Sequence, residues 1–191
     1  VFGASPDCGG GTVGCFAPGA PTPSRIEGDP TAFVVRGATE FDYRPTRNLT
    51  FSIATRAQYA PDALLSYEEF SGGNYTVGRG YDPGAIVGDS GVGVRSEVRV
   101  GSLLPRSAGG FAFQPYVFFD AARVWNEDSA FDGLPAQKLY SAGGGVRATI
   151  LDAARLDALL AVPLRNTMTE KVKGDVRLLI NLTLQLAPWR L

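Results

Sequence analysis

Apolar and polar side chains alternate with period two in seven separate stretches of the chain. From Ala32 to Arg44 the odd positions are Phe33, Val35, Gly37, Thr39, Phe41 and Tyr43, with Arg36, Glu40, Asp42 and Arg44 between them. From Asn48 to Ala60, Leu49, Phe51, Ile53, Ala57 and Tyr59 alternate with Thr50, Ser52, Arg56 and Gln58. Val92, Val94, Val98 and Val100 alternate with Arg95, Glu97 and Arg99, and Phe113, Val117 and Phe119 with Gln114, Tyr116 and Asp120. Lys138 to Leu151 sets Tyr140, Val146 and Ile150 against Ser141, Arg147 and Thr149. Leu156 to Arg165 sets Leu156, Leu160, Val162 and Leu164 against Asp157 and Arg165. The last stretch, Val176 to Leu186, is the cleanest: leucines fill nearly all of one face, while Arg177, Asn181, Thr183 and Gln185 lie on the other. Successive side chains of a strand point to opposite faces, so each stretch predicts a strand with one apolar and one polar face. Two architectures fit: a sandwich with its apolar faces packed together, or a barrel with its apolar face in lipid.

The connections separate these two. Pro45-Thr46-Arg47, Leu103 to Gly110 and Asp152 to Arg155 are short. Pro61 to Ser90, Asn126 to Gln137 and Asn166 to Gly174 are long, and residues 1–30 form another long segment ahead of the strands in 31–191. Long loops on one rim and short turns on the other are the pattern of outer-membrane barrels, whose short turns face the periplasm. No run reaches the roughly 18 apolar residues of a transmembrane helix, and barrel strands need none. The expected fold is all-β, an antiparallel transmembrane barrel with its outer face on outer-membrane lipid. Seven strands leave two open edges, which a membrane does not tolerate. The remaining strands are expected before Val1, where no signal peptide opens the chain, so the sequence reads as part of a larger barrel.

Composition agrees. The 191 residues include 24 glycines, 13 prolines and one methionine, which favours short strands and turns over helices. A net charge of −1 gives no reason to expect nucleic acid. The lack of histidine removes most acid–base, triad and zinc chemistry, and no nucleotide-binding fingerprint occurs. No catalytic residue, cofactor or metal is therefore expected. The two cysteines, Cys8 and Cys15, enclose a glycine-rich segment. They suit a local disulfide in an oxidising compartment better than a metal site, which would need more ligands.

The long segment 61–90 carries the most specific motifs. It contains Phe70-Ser71-Gly72-Gly73, then Val77-Gly78-Arg79-Gly80-Tyr81, then Gly88-Asp89-Ser90-Gly91. This order resembles that of two-partner secretion transporters (TpsB, the hemolysin activation/secretion proteins), in the superfamily of BamA and the bacterial surface antigens. Phe70, Gly72 and Gly73 match the lead of that family's inserted loop. Arg79, Gly80 and Tyr81 match its Val-Arg-Gly-Tyr tetrad, with Gly78 in place of valine. Gly88, Asp89 and Gly91 match the following segment, and Glu97 the acidic strand position. Phe118-Phe119-Asp120-Ala121-Ala122 resembles the next strand motif, with Ala122 in place of glycine. Pro23-Ser24-Arg25 and Gly28-Asp29-Pro30 resemble the loop before the tenth strand.

The resemblance implies a barrel of roughly sixteen strands, of which these are the last seven, preceded by periplasmic POTRA domains. It implies a pore that secretes a large unfolded partner protein, and a loop at 61–90 folded into the lumen. By parity Asp120 and Glu97 lie on the polar faces of neighbouring strands, where both carboxylates can share the Arg79 guanidinium. Gly78 and Gly80 would let the loop approach the wall, and Tyr81 would offer an apolar body with a hydrogen-bonding tip. Without the flanking matches, Gly78-Arg79-Gly80 reads better as an exposed turn whose arginine is solvated. An insertase of the same superfamily, a passive porin and a surface antigen remain open alternatives.

Overall fold

The computed structural model describes residues 24–25, 28–29, 31–74, 76–105, 107, 109–127, 135–151, 153–168 and 171–185. Cys8, Cys15 and the end of the chain beyond residue 185 lie outside them, as does most of the expected 1–30 loop. Each alternating stretch forms a strand. The long strands are β1 (Val35–Thr46), β2 (Leu49–Tyr59), β5 (Ser90–Val100), β6 (Phe111–Trp125), β7 (Gln137–Ile150), β8 (Ala154–Pro163) and β9 (Arg177–Leu184). They form one antiparallel sheet in the order β1-β2-β5-β6-β7-β8-β9. Two short strands, β3 (Phe70–Gly72) and β4 (Ile86–Gly88), pair with each other inside the long loop, where the alternation predicts none.

The first turn falls later than the sequence suggests. β1 runs through Pro45 and Thr46, and the chain reverses at Arg47 and Asn48. The register shifts between Tyr43 and Thr46. An irregularity there leaves no ladder bond for Pro45 to donate, which is where a sheet tolerates proline.

The sheet is inverted relative to a soluble protein. In β6, Phe111, Phe113, Val117 and Phe119 are exposed, whereas Gln114, Tyr116, Phe118 and Asp120 are buried. In β9, Leu178, Ile180, Leu182 and Leu184 are all more than half exposed. The cross-strand register lines these residues up. One row, Tyr43, Phe51, Val98, Val117, Gly144, Leu160 and Leu178, crosses all seven strands on the outer face. The adjacent row, Asp42, Ser52, Glu97, Phe118, Gly143, Ala161 and Arg177, crosses them on the inner face. Contiguous apolar surface of this extent is disfavoured in water and is stable against lipid.

The polar face is covered by the β2–β5 loop. Phe70, Val77, Tyr81, Ala85 and Ile86 of this loop pack on Ala122, Val124 and Leu139 of the wall, forming a small apolar cluster among otherwise polar surroundings. The loop is thus held partly by burial of these side chains and partly by polar contacts, which form the site described next.

Candidate functional site: an inserted loop and its ionic seat

The loop reaches the wall through two glycines. Gly78 has φ +110°, a conformation that side-chain-bearing residues rarely adopt, and a Cβ there would come within 2.6 Å of Leu139 Cδ1. Gly80 lies against backbone: a Cβ would sit 2.9 Å from Pro163 N and 3.1 Å from Val162 C. Between them Arg79 is driven directly at the inner face.

The Arg79 guanidinium is held on two carboxylates. Its Nε donates to Asp120 Oδ2 at 2.9 Å and Nη2 to Asp120 Oδ1 at 2.6 Å, a bidentate fork. Its Nη1 donates to Glu97 Oε1 at 2.5 Å. The backbone N–H groups of Arg79 and Gly78 also reach Asp120 Oδ2, at 3.0 and 3.3 Å. The guanidinium carbon lies 3.7 Å from the Phe118 ring centroid, so the cation is stacked as well as paired. Phe118 lies flat on the sheet because Gly143 beside it has no side chain. A Cβ there would meet Phe118 Cζ at 2.7 Å and Leu160 O at 2.0 Å.

The two carboxylates are not equivalent. Asp120 is fully buried, and among the described residues the hydrogen bonds it accepts come from Gly78 and Arg79. Glu97 is also held by the wall. Arg147 Nη1 and Nη2 donate to Glu97 Oε2 and Oε1, each at 3.0 Å, and Arg99 Nε donates to Oε2 at 2.7 Å. Arg147 Nε continues to Asp157 Oδ2 at 3.0 Å, and the Tyr116 hydroxyl donates to Asp157 Oδ1 at 2.7 Å. Arg99 lies 3.6 Å from Asp42. The result is a charge network along the inner face from β1 to β8, onto which Arg79 plugs. Arg147, Arg99 and Asp157 do not stand out in the sequence, and Phe118 does so only as part of a strand motif. Parity places each on the inner face, yet only the strand register shows that Arg147 reaches Glu97 across β6.

Tyr81 supplies a second attachment. Its ring is buried, and its hydroxyl lies 2.9 Å from the Tyr140 carbonyl oxygen and 2.7 Å from that of Arg165, while accepting from the Arg165 N–H at 3.2 Å. Phe70 anchors the β3 end in the apolar cluster. Gly72 and Gly73 close the β3 end of the turn, Gly73 donating its N–H to the Val77 carbonyl at 2.8 Å.

Gly88 and Asp89 form a third attachment at the opposite end of the loop. The Asp89 carboxylate is fully buried and accepts from Leu64 N (2.7 Å), Glu127 N (2.8 Å) and both terminal nitrogens of Arg25 (2.5 and 3.1 Å). Arg25 also donates to Glu69 Oε1 at 3.1 Å and to the Leu64 carbonyl at 3.3 Å. Asp89 therefore ties together the segment before β1, the start of the inserted loop and the β6–β7 connection. An Arg25→Ala substitution leaves Asp89 with only its backbone donors. We expect amide exchange at Leu64 and Ser66 to rise by about tenfold or more, since the variant loses both bonds to Asp89 along with those to Glu69 and Leu64. The Gly78 and Arg79 amides, held at Asp120, should keep their wild-type rates in a hydrogen-exchange measurement on the full-length protein.

An antiparallel sheet with its apolar face outward and its polar face plugged by an anchored loop is a wall of an outer-membrane β-barrel. The family model of the haemolysin secretion/activation protein ShlB/FhaC/HecB matches residues 29–148, and the chain belongs to that family. Among solved structures it is similar to CdiB from Acinetobacter baumannii, with 27% identity and a TM-score of 0.56 over 78% of this chain and 26% of that one. It shares its fold with CdiB from Escherichia coli, at 18% identity and a TM-score of 0.65 over 79% of this chain and 27% of that one. The chain thus spans about a quarter of the length of these structures. No curated protein sequence matches it.

Proposed function

We propose that this chain is the C-terminal part of an outer-membrane pore that secretes a large partner protein in an unfolded state. The observation that carries this reading is the loop seated on the inner face of an inverted sheet by Arg79, Asp120 and Glu97. A loop in that position obstructs the lumen, and passage of a polypeptide requires it to leave. Its ionic attachments can be exchanged for other polar partners as the loop moves, and the apolar cluster it gives up is small. No chemical step or cofactor is needed. Membership of the secretion/activation family favours export over barrel assembly or passive diffusion. The rest of a barrel of roughly sixteen strands, periplasmic POTRA domains that receive the partner, and outer-membrane lipid complete the working protein.

A reversible lock tests this. A Cβ on Gly93 would lie 3.2 Å from Val77 Cβ, close to the separation a disulfide spans. Val77→Cys with Gly93→Cys, in full-length protein with Cys8 and Cys15 changed to serine, should fix the loop on the wall when oxidised. Partner protein in the medium should fall to background under oxidation and return after reduction. Undiminished export with the cross-link fully formed would rule out loop displacement. Export from cells lacking the protein would rule out the secretion role itself.

A further inference from the structure

Asp120 is fully buried, and the loop supplies its hydrogen bonds. When the loop leaves, Glu97 keeps Arg147 and Arg99, but Asp120 loses Arg79 and both backbone donors. Asp120 would then face the lumen beside the acidic Glu97 with no counterion of its own, and losing that partner carries a penalty even in a partly wet site. Such a penalty would oppose loop release unless the wall itself provides another cation.

That cation is present. Arg95 of β5 is the direct cross-strand partner of Asp120 of β6. Residues directly opposite on one face have Cβ atoms roughly 4.5–5.5 Å apart, well within the reach of an arginine side chain. Arg95 is half-buried and lines the same lumenal cavity as Arg79 and Arg147. Among the described residues, no hydrogen bond or ion pair engages its guanidinium in the loop-seated state. Two arginines, Arg79 of the loop and Arg95 of the wall, thus lie beside Asp120, and only the loop's is bonded to it. An arginine directly opposite Asp120 and unbonded while the loop is seated is placed to pair with the carboxylate in a second state.

We propose that Arg95 is the stand-in counterion of Asp120, taking the carboxylate over from Arg79 when the loop leaves and so stabilising the open pore. This makes Arg95 a positioning residue for transport. The proposal rests on the reading that the loop is displaced. The exchange lowers the penalty of the open state without strengthening the seated one, because Arg95 contributes no bond to the latter.

Single-channel recording of the full-length protein in planar lipid bilayers tests this with no partner protein present. A failed export assay and a failed exchange are therefore separate results. Arg95→Gln should shorten open dwell times by about tenfold, the scale of one lost charge pair in a partly wet site, and leave closed dwell times within about twofold of wild type. Arg95→Lys keeps the charge and should lie between the two. In an Asp120→Asn background, Arg95→Gln should have no further effect, since no carboxylate remains to be neutralised. Three results would overturn the exchange: wild-type open dwell times in Arg95→Gln, equal shortening in the Asp120→Asn background, or a wild-type channel that never opens.

Discussion

Arg79→Ala should release the loop from the barrel wall while leaving the wall assembled. The substitution removes the fork to Asp120 and the bond to Glu97, and it strips the cation from the Phe118 ring. Asp120 keeps only two backbone donors, at 3.0 and 3.3 Å. Removing one partner of a secluded ion pair costs ~3–5 kcal/mol, and water in the lumen reduces the figure. A full reversal from seated to displaced needs about 5.5 kcal/mol, so ~3 kcal/mol already brings a loop seated nearly always to roughly even populations. Asp120→Ala should act alike, because the bonds that Asp120 accepts are the loop's. Glu97→Gln should act differently. It leaves the Arg79–Asp120 fork intact but disturbs Arg147 and Arg99, which link β7 to the rest of the inner face. The two kinds of variant should therefore cross over. Arg79→Ala and Asp120→Ala should broaden the distance between spin labels on the loop and the wall while barely moving the urea midpoint. Glu97→Gln should lower the midpoint more and broaden the distance less. An unchanged label distance in Arg79→Ala would mean that the arginine does not hold the loop.

The crossover depends on a distinction that the sequence conceals. Arg79, Asp120 and Glu97 can be named together because motif order points to the first and strand parity places the other two on the inner face. Parity also separates the two faces, Val117 and Phe119 on one and Gln114 and Asp120 on the other, and the loop lengths turn the apolar one to lipid. It does not yield register. Arg147 and Glu97 are separated by β6, and their contact requires β5, β6 and β7 to be aligned to the residue. A slip of one residue would have sent Arg147 to the lipid side. The same ignorance of register hides the idle position of Arg95 opposite Asp120. Phe118 is legible as part of a strand motif, but its role as a platform is not, until Arg79 is found stacked over it. The glycine run Gly143-Gly144-Gly145 shows why that ring can lie there. Residues 61–90 offer no periodicity, so the β3–β4 pair and the packing of Val77 and Ile86 on Leu139 have no signal in the alternation. The turn after β1 falls late because proline in an irregular register is compatible with a strand end, while Pro45 read in isolation marks a break. The Asp89 attachment is visible as a Gly-Asp-x-Gly match, but its partner Arg25 lies 64 residues away and only the fold joins them.

Gly80→Ala should unseat the loop nearly as effectively as losing the arginine, without touching a charge. The three nearest atoms to a new Cβ would be Pro163 N at 2.9 Å, Ser141 Cβ at 3.1 Å and Val162 C at 3.1 Å. Two of these are backbone atoms of β8, held by ladder bonds to β7 and β9, and they cannot step aside as a side-chain tip can. The loop must move instead. Its neighbours in the chain are Arg79 and Tyr81, whose bonds to Asp120 and to the Tyr140 and Arg165 carbonyls lie between 2.6 and 3.0 Å. A retreat of a few tenths of an ångström weakens them together. Overpacking of this kind typically costs ~1–3 kcal/mol, and Gly80→Val should cost more. Gly84→Ala is the control. It lies in the same loop with φ +75°, but nothing lies within 4 Å of a Cβ there, so any strain stays local and the seat is undisturbed. Spin-label distances in the full-length protein should show a large displaced population for Gly80→Ala and a wild-type distribution for Gly84→Ala. If both variants gave the same distribution, close approach at Gly80 would not be what seats Arg79. The loop would then be held by its ion pairs and its apolar cluster, and because Arg79 and Asp120 are buried the Arg79→Ala effect should persist in high salt.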